Sequence, residues 1–340
     1  MTNVFVLHSA ITEKVSRSII EDLGLEEVVF LTTKRYSTEE KSEAIGQLYD
    51  VKGVGEYMVK MWLEIIRGDW KVARKFGGEF HLYVPNTVFP EVRFLLSHRR
   101  CAGFSVMEEG LYSYCTREQL ESMLPLGADP LRLRLASLGR LRKQQFCQDG
   151  YSRLFALTPD AFPGRDRTTV VPATFRTTQS QEGMSGDCIL VCESLSFLHA
   201  ENAPIYASSM VEVIQVIRER YDKVHYKIHP DSYDNWQEAL LKNLIHRYGP
   251  DAEEIDRSAA IEDIAIGSGA DVVLNVSSTG LYCGLYAEGD VYSFHDIFSA
   301  NGEGVGVYGQ DDRHANDWVP DIFWENVRLL GDSRRVAEDA

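Results

Sequence analysis

Apolar positions along the first hundred residues alternate between two periods. Residues 4–7 (VFVL) form a short continuous apolar run, the pattern of a strand buried on both faces of a parallel sheet. After His8-Ser9 the spacing turns helical, with Val15, Ile19, Ile20 and Leu23 on one face and Gly24 placed as a C-cap. Residues 28–31 (VVFL) read as the next strand. A long helix is predicted over about 55–75, then a strand at 80–84, a helix at 91–97 and a strand at 102–107. Strands alternating with helices predict a parallel, Rossmann-like sheet.

From 116 to about 148 the period is helical again, with Leu131, Leu135 and Leu138 on one face among Arg132, Arg134, Arg140, Arg142 and Lys143. This basic segment, 131–143, reads either as a solvated helix face or as a contact for a membrane surface or other anionic partner. Residues 158–187 are rich in Thr, Pro, Gly, Ser and Gln without an apolar period, and read as a linker with edge structure around 169–175. A second alternating series then begins. Strands are predicted at 188–192 (CILVC), 225–229, 272–276 and 291–294, with helices at 208–221, 235–248 and near 258–266. A helix or turn follows at 279–286, and 320–330 reads as a C-terminal helix. The expected division is an N-terminal Rossmann-like domain (1–157), a linker (158–187), a second Rossmann-like domain (188–318), and a terminal helix and tail (319–340).

Composition narrows the class. A length of 340 residues is long for one core and fits two α/β domains. The formal net charge of −16 argues against nucleic acid as a partner, because phosphate backbones are held by an excess of Lys and Arg. It also confines any contact with an anionic membrane to a local basic patch. The six cysteines form no CxxC pair, which fits a reduced compartment. The first ten residues lack the cationic region of a secretory signal, and no stretch reaches the roughly 18 apolar residues of a membrane span. The expectation is a cytoplasmic protein, with the inner membrane reached, if at all, through 131–143. No GxGxxG or P-loop pattern is present, which weakens dinucleotide and ATP readings.

Three predicted strand ends carry polar residues, where open α/β sheets place their ligands. Glu108-Glu109-Gly110 follows the strand at 102–107; an acidic surface turn is the plain alternative. His229-Pro230 closes the run VHYKIHP, and the proline forces an extended backbone on the histidine. Ser277, Ser278 and Thr279 end the strand at 272–276, and hydroxyls at such a junction either meet an anion or cap the helix. His229, Ser277 and Ser278 are thus candidates to hold a nucleotide's phosphate.

An acidic pair ending in Gly, a later His-Pro and then a Ser-Ser pair, in that order on alternating α/β elements, resemble bacterial GT-B sialyltransferases. The likeness is to the lipooligosaccharide sialyltransferases of glycosyltransferase family 52 and the related bacterial polysialyltransferases. It covers most of the chain in layout but only these short motifs in letters. It implies a GT-B-like α/β fold, two Rossmann-like domains with a cleft between them. It implies inverting, metal-independent transfer of sialic acid from CMP-sialic acid to a sugar hydroxyl of a bacterial surface glycan, lipooligosaccharide or capsule. No cofactor is implied beyond the donor, and the absence of an Asp-x-Asp motif agrees with metal independence. The acceptor would be a lipid-linked or oligosaccharide glycan.

In such an enzyme one carboxylate of the acidic pair is the general base, here Glu108 or Glu109. Protonated His229, with Pro230, Ser277, Ser278 and Thr279, would hold the departing CMP. Glu262 matches the place of an acidic residue for the ribose hydroxyls, and Ser194 would contact the donor. His8 and Ser9 would lie on the acceptor side. A CMP-Kdo-dependent transferase of the same architecture, a catalytically silent nucleotide-binding protein of glycan assembly, and a sugar-nucleotide epimerase remain the other readings.

Overall fold

The computed structural model describes residues 1–33, 36, 38, 41–49, 58–123, 134–135, 137–141, 145–173, 175, 184–192, 202–301 and 319–331. The chain divides into two compact units, Met1–Thr174 and Phe175–Ala340.

Unit 1 runs β1 (Thr2–Leu7), α1 (Ala10–Leu23), β2 (Val28–Thr32), β3 (Ser42–Ala44), α2 (Met58–Phe76), β4 (Phe80–Val84), α3 (Pro90–Leu96), β5 (Cys101–Met107), α4 (Arg117–Met123), β6 (Leu154–Ala156) and β7 (Thr168–Val170). The seven strands are parallel, in the order β3-β2-β1-β4-β5-β6-β7. Val4–Leu7 lies at the centre with every side chain buried, as its unbroken apolar run requires. Ser9 and Thr12 form a reciprocal capping box at the start of α1, and Gly24 ends it in the left-handed region.

Unit 2 runs β8 (Cys188–Val191), α5 (Ala203–Arg220), β9 (Lys223–Lys227), α6 (Trp236–Tyr248), β10 (Asp251–Glu254), α7 (Ile261–Ser268), β11 (Asp271–Leu274), α8 (Ser278–Tyr286), β12 (Val291–Ser293), α9 (His295–Asn301), α10 (Asp321–Asn326) and β13 (Arg328–Leu329). Its six strands are also parallel, ordered β10-β9-β8-β11-β12-β13. The core gathers Cys188 and Leu190 of β8, Met210, Val213 and Ile217 of α5, and Leu241 and Ile245 of α6.

Several sequence expectations change. Among the described residues the helix expected over 116–148 appears only as α4 and the helical pair 134–135, and 137–139 form a turn. Leu131, Arg132, Arg142 and Lys143 lie outside the described residues. Arg140 is no solvated membrane-facing cation. It pairs with Asp69 at 2.7 Å, donates to the Phe94 carbonyl and the Ser97 hydroxyl, and covers the Tyr49 and Phe94 rings.

The stretch read as a linker, 158–187, supplies β7, a three-residue edge strand too short to show an apolar period. The strands β10 and β13 were not expected. β10 reads DAEE, and its charges are tolerated because it is an edge. There Glu253 pairs with Lys223 and Glu254 with Lys242, each at 2.7 Å. The expected C-terminal helix stops at Asn326, and Arg328–Leu329 joins β12 as the sixth strand.

Candidate functional site

In both sheets the strand order reverses once, between β1 and β4 and between β8 and β11. Beyond the carboxyl ends of strands flanking such a reversal, successive connections leave on opposite faces and open a crevice. The polar residues singled out above fall at or near these two places.

In unit 1, His8 follows β1, Asn86 follows β4, and Glu108 and Glu109 follow β5. The two glutamates are both buried but differ in what their oxygens meet. Glu108 is fully enclosed: one oxygen accepts from the Tyr114 hydroxyl at 2.6 Å and the other from the Leu157 amide at 2.5 Å. Tyr114 in turn receives the Thr158 hydroxyl at 3.1 Å. Glu108 therefore ties the end of β5 to the 3-10 turn Leu111–Tyr114 and to the residues leaving β6.

Glu109 turns toward the strand-order reversal. Its Oε2 accepts from Asn86 Nδ2 at 2.6 Å and lies 3.3 Å from His8 Nε2. Its Oε1 is buried and has no hydrogen-bond partner among the described residues, and neither has His8 Nδ1. Burial pushes the Glu109 carboxyl up to about 8, against the lowering effect of Asn86. Burial likewise pushes His8 down to about 4. At neutral pH the pair is thus an uncharged carboxylic acid beside an uncharged imidazole.

The backbone explains the glycine. The Glu109 amide donates to Ser113 Oγ at 3.1 Å, and Gly110 turns the chain at φ 131°, ψ −150°, a region essentially reserved for glycine. Ser9, expected on the acceptor side, is engaged as the N-cap of α1, where its hydroxyl accepts from the Thr12 amide.

The proton balance of the Glu109–His8 pair gives a sign for stability against pH. The folded state keeps the Glu109 proton between its ordinary 4.5 and about 8, where the unfolded chain has released it, so this group lowers stability as pH rises through that window. His8 acts oppositely: between about 4 and its ordinary 6.5 the unfolded chain holds the extra proton, and stability rises with pH. The two slopes cancel over their overlap, and above 6.5 only Glu109 acts. Glu109→Gln keeps His8, so denaturant unfolding of wild type and variant should diverge over the whole window from about 4.5 to 8, with about 2 kcal/mol of the variant's relative gain falling between pH 6.5 and 8. A difference that stays constant with pH contradicts the shift.

Glu108→Gln makes the contrasting case. The amide nitrogen would face either a hydroxyl that donates or a backbone N–H, so one buried donor loses its acceptor. A loss of about 2 kcal/mol is expected in the same unfolding experiment.

In unit 2, β9 ends at Lys227, two residues before His229, because Pro230 cannot continue the ladder and opens the short turn Pro230–Ser232. His229 is extended at φ −63°, ψ 138°, and its side chain is 44% exposed. Its Nδ1 accepts from the Asp231 amide at 3.2 Å. The same nitrogen lies 3.9 Å from the Asp231 carboxylate, so Nδ1 is engaged within its own turn and Nε2 is the outward nitrogen.

Ser277 is the N-cap of α8, and its hydroxyl oxygen accepts from the Gly280 amide at 3.1 Å. The amides of Ser278 and Thr279 stand in the first turn, where a helix has no acceptors of its own. The Thr279 hydroxyl is not spare for a ligand, because it donates to Glu262 Oε1 at 2.7 Å. Two predicted site residues are thus joined to each other, across α7 and α8. β8 lies between β9 and β11, which sets the His229 and Ser277 strand ends about 10 Å apart by interstrand spacing. Ser194 lies outside the described residues.

Sequence reasoning missed three residues that shape these sites. Asn86 follows β4 beside the reversal, but its position is visible only once the strand order is known. Tyr114 lies in a turn with no periodic signal. Lys227 reads as an ordinary strand lysine, yet it is buried and donates to the carbonyls of Asp256, Arg257 and Ala259. It thereby anchors the loop that delivers Glu262, and burial holds its ammonium below the usual lysine range. Among the described residues no group of three or more His, Cys, Asp or Glu side chains is arranged to hold a metal ion.

No description of a known protein family matches this chain, and no curated protein matches it in sequence. Solved structures match in fold. The UDP-GlcNAc 2-epimerase of Methanocaldococcus jannaschii, in complex with UDP-GlcNAc and UDP, aligns over 87% of this chain and 84% of its own, with TM-score 0.50 and 12% identity. The glycosyltransferase SnogD from Streptomyces nogalater aligns over 100% and 99%, with TM-score 0.47 and 11% identity. The E. coli trehalose-6-phosphate structure bound with UDP-2-fluoro glucose aligns over 96% of both chains, with TM-score 0.45 and 11% identity. The two parallel-sheet units have the Rossmann-like α/β form of the GT-B fold.

Proposed function

We propose that this chain is an inverting glycosyltransferase that moves sialic acid from CMP-sialic acid to a sugar hydroxyl of a bacterial surface glycan. The observation that carries the reading is Glu109: a buried carboxyl beside the strand-order reversal, with one oxygen unpartnered among the described residues and its pKa raised to about 8. A general base works best when its pKa lies near the working pH, and burial has moved this carboxyl there. A nucleotide-sugar donor is supported by the GT-B fold, whose epimerase representative was solved with UDP-GlcNAc. The choice of CMP-sialic acid rests on the resemblance of Glu108-Glu109-Gly110, His229-Pro230 and Ser277-Ser278 to the sialyltransferase motifs.

The chemistry divides between the two units. Ionised Glu109 takes the proton of the acceptor hydroxyl on Oε1, while Asn86 and His8 fix Oε2 and so the carboxylate plane. The acceptor oxygen bonds to the anomeric carbon as the bond from that carbon to the CMP phosphate oxygen breaks, through a transition state of oxocarbenium character. The electron pair leaves with CMP. Negative charge growing on its phosphate is met by His229 Nε2–H, the Ser277 and Ser278 hydroxyls and the first amides of α8, near the positive end of that helix. Glu108 takes no proton in this scheme; both its oxygens are occupied, and it holds the loop that aims Glu109.

The test is acceptor-dependent release of CMP from CMP-sialic acid, with CMP-Kdo and UDP-GlcNAc run beside it. Release from CMP-Kdo alone assigns the Kdo-type reaction, and interconversion of UDP-GlcNAc alone assigns an epimerase; either overturns the proposal. Binding of CMP without turnover of any donor overturns it in favour of a silent binding protein.

A further inference from the structure

Helix α2 has two apolar faces. Met61, Ile65, Val72 and Phe76 are buried against unit 1, the spacing expected of a core-facing stripe. On another face Leu63, Ile66 and Trp70 recur at i, i+3 and i+7 and are 50%, 58% and 63% exposed. Leu135 and Leu138 extend the same surface. Their segment is held beside α2 by the Trp62 indole, which donates to the Leu135 carbonyl at 3.1 Å, and by the Arg140–Asp69 pair. Five of the ten large apolar side chains exposed among the described residues therefore lie on this one region of unit 1. Scattered exposed apolar residues need no explanation, but a cluster of this kind marks a contact surface.

Charge indicates what it contacts. The sequence of α2 carries five basic residues (Lys60, Arg67, Lys71, Arg74, Lys75) against two acidic ones (Glu64, Asp69), in a chain whose net charge is −16. Asp69 is paired with Arg140 and Glu64 with Arg67, which still stands 66% exposed. Arg67 and Arg74 follow the apolar stripe along one side by helical geometry, and the Arg74 guanidinium lies 5.4 Å from the Trp70 ring centroid. A Trp at the edge of an aliphatic stripe, bordered by arginines, is the composition of a helix lying in the headgroup region of an anionic bilayer. A twofold contact between two copies would gather the arginines of both onto one patch and is opposed by their charge.

We infer that the outer face of α2, with Leu135 and Leu138, docks unit 1 on an anionic membrane surface. Trp70, Ile66 and Leu63 enter the interfacial layer, and Arg67 and Arg74 meet lipid phosphates. The surface involves none of the groups assigned to transfer, so it stands independently of the proposed reaction.

The experiment is flotation of the full chain with vesicles of phosphatidylcholine containing about 30 mol % phosphatidylglycerol, against phosphatidylcholine alone. The wild type should float with the anionic vesicles and release as salt is raised. Ile66→Glu/Trp70→Glu should bind at least about tenfold more weakly, and Arg67→Glu/Arg74→Glu should lose the preference for phosphatidylglycerol. All four positions are exposed or border the stripe, and an unchanged melting temperature confirms that each variant is folded. Wild-type failure to float, or flotation of the apolar variant equal to wild type, overturns the inference. So does a concentration-dependent dimer, seen by sedimentation, that the apolar variant abolishes without vesicles being bound.

Discussion

Glu109→Gln is expected to lower turnover of CMP-sialic acid by about a thousandfold at pH 8, within the usual contribution of a positioned acid–base group. Gln preserves the shape of the side chain and an oxygen to accept from Asn86, so the geometry of the pocket is retained. What it removes is the group that can take a proton. The wild-type pH profile carries the same information: kcat/KM should rise towards a plateau above an apparent pKa of about 8, where Glu109 ionises. Because the variant is expected to gain stability relative to the wild type as pH rises, an inactivity that persists at pH 8 in a protein shown folded by its unfolding curve belongs to the lost proton acceptor. Glu108→Gln should show the reverse pattern, with stability lost and most of the turnover per folded molecule retained. If Glu108→Gln is inactive and Glu109→Gln is active, the two roles are exchanged and the oxygen inventory has misassigned the base.

His229→Ala is expected to lower turnover by about a hundredfold, the effect of losing one preorganised donor to developing charge. The Asp231 amide fixes the ring by donating to Nδ1, which leaves Nε2–H as the outward donor. The loss should fall mainly on kcat rather than KM, because charge on the phosphate increases as CMP departs. A fall in activity between pH 6 and 7.5 that disappears in His229→Ala would mark a protonated imidazole as the working donor, and a flat profile a neutral one. Ser277→Ala is a less clean probe, since the hydroxyl also caps α8 and its loss typically costs about 1 kcal/mol of stability.

Much of this was legible in the sequence for reasons that can be named. The strands buried on both faces, such as Val4–Leu7 and Cys188–Val191, are unbroken apolar runs that admit few other readings. The capped helix α1 carries its own stop in Gly24. The motif residues were singled out because they stand where a strand pattern ends. What escaped was whatever depends on neighbours distant in sequence. The strands β10 and β13 are edges, one acidic and the other two residues long, and become strands only because β9 and β12 offer free ladder groups. Arg140 looked like one of a run of surface cations until Asp69 and the Phe94 carbonyl were placed against it. The same holds within the site. Nothing in the EEG triplet distinguishes Glu108 from Glu109; the difference arises from Tyr114 and Leu157 on one side and Asn86 and His8 on the other. Thr279 was expected to face a phosphate and instead holds Glu262, a pairing of α7 with α8 that spacing does not reveal.

The central claim is that a CMP-sugar donor is turned over with Glu109 as the base that activates the acceptor. Its most direct test measures CMP release from CMP-sialic acid, with and without a galactose-terminated oligosaccharide, across pH 6 to 9.5 for the wild type and Glu109→Gln. The account predicts acceptor-dependent release that rises through an apparent pKa of about 8 in the wild type and is nearly absent in the variant at every pH. Equal release by both proteins, or a wild-type rate that does not change across this range, would contradict it.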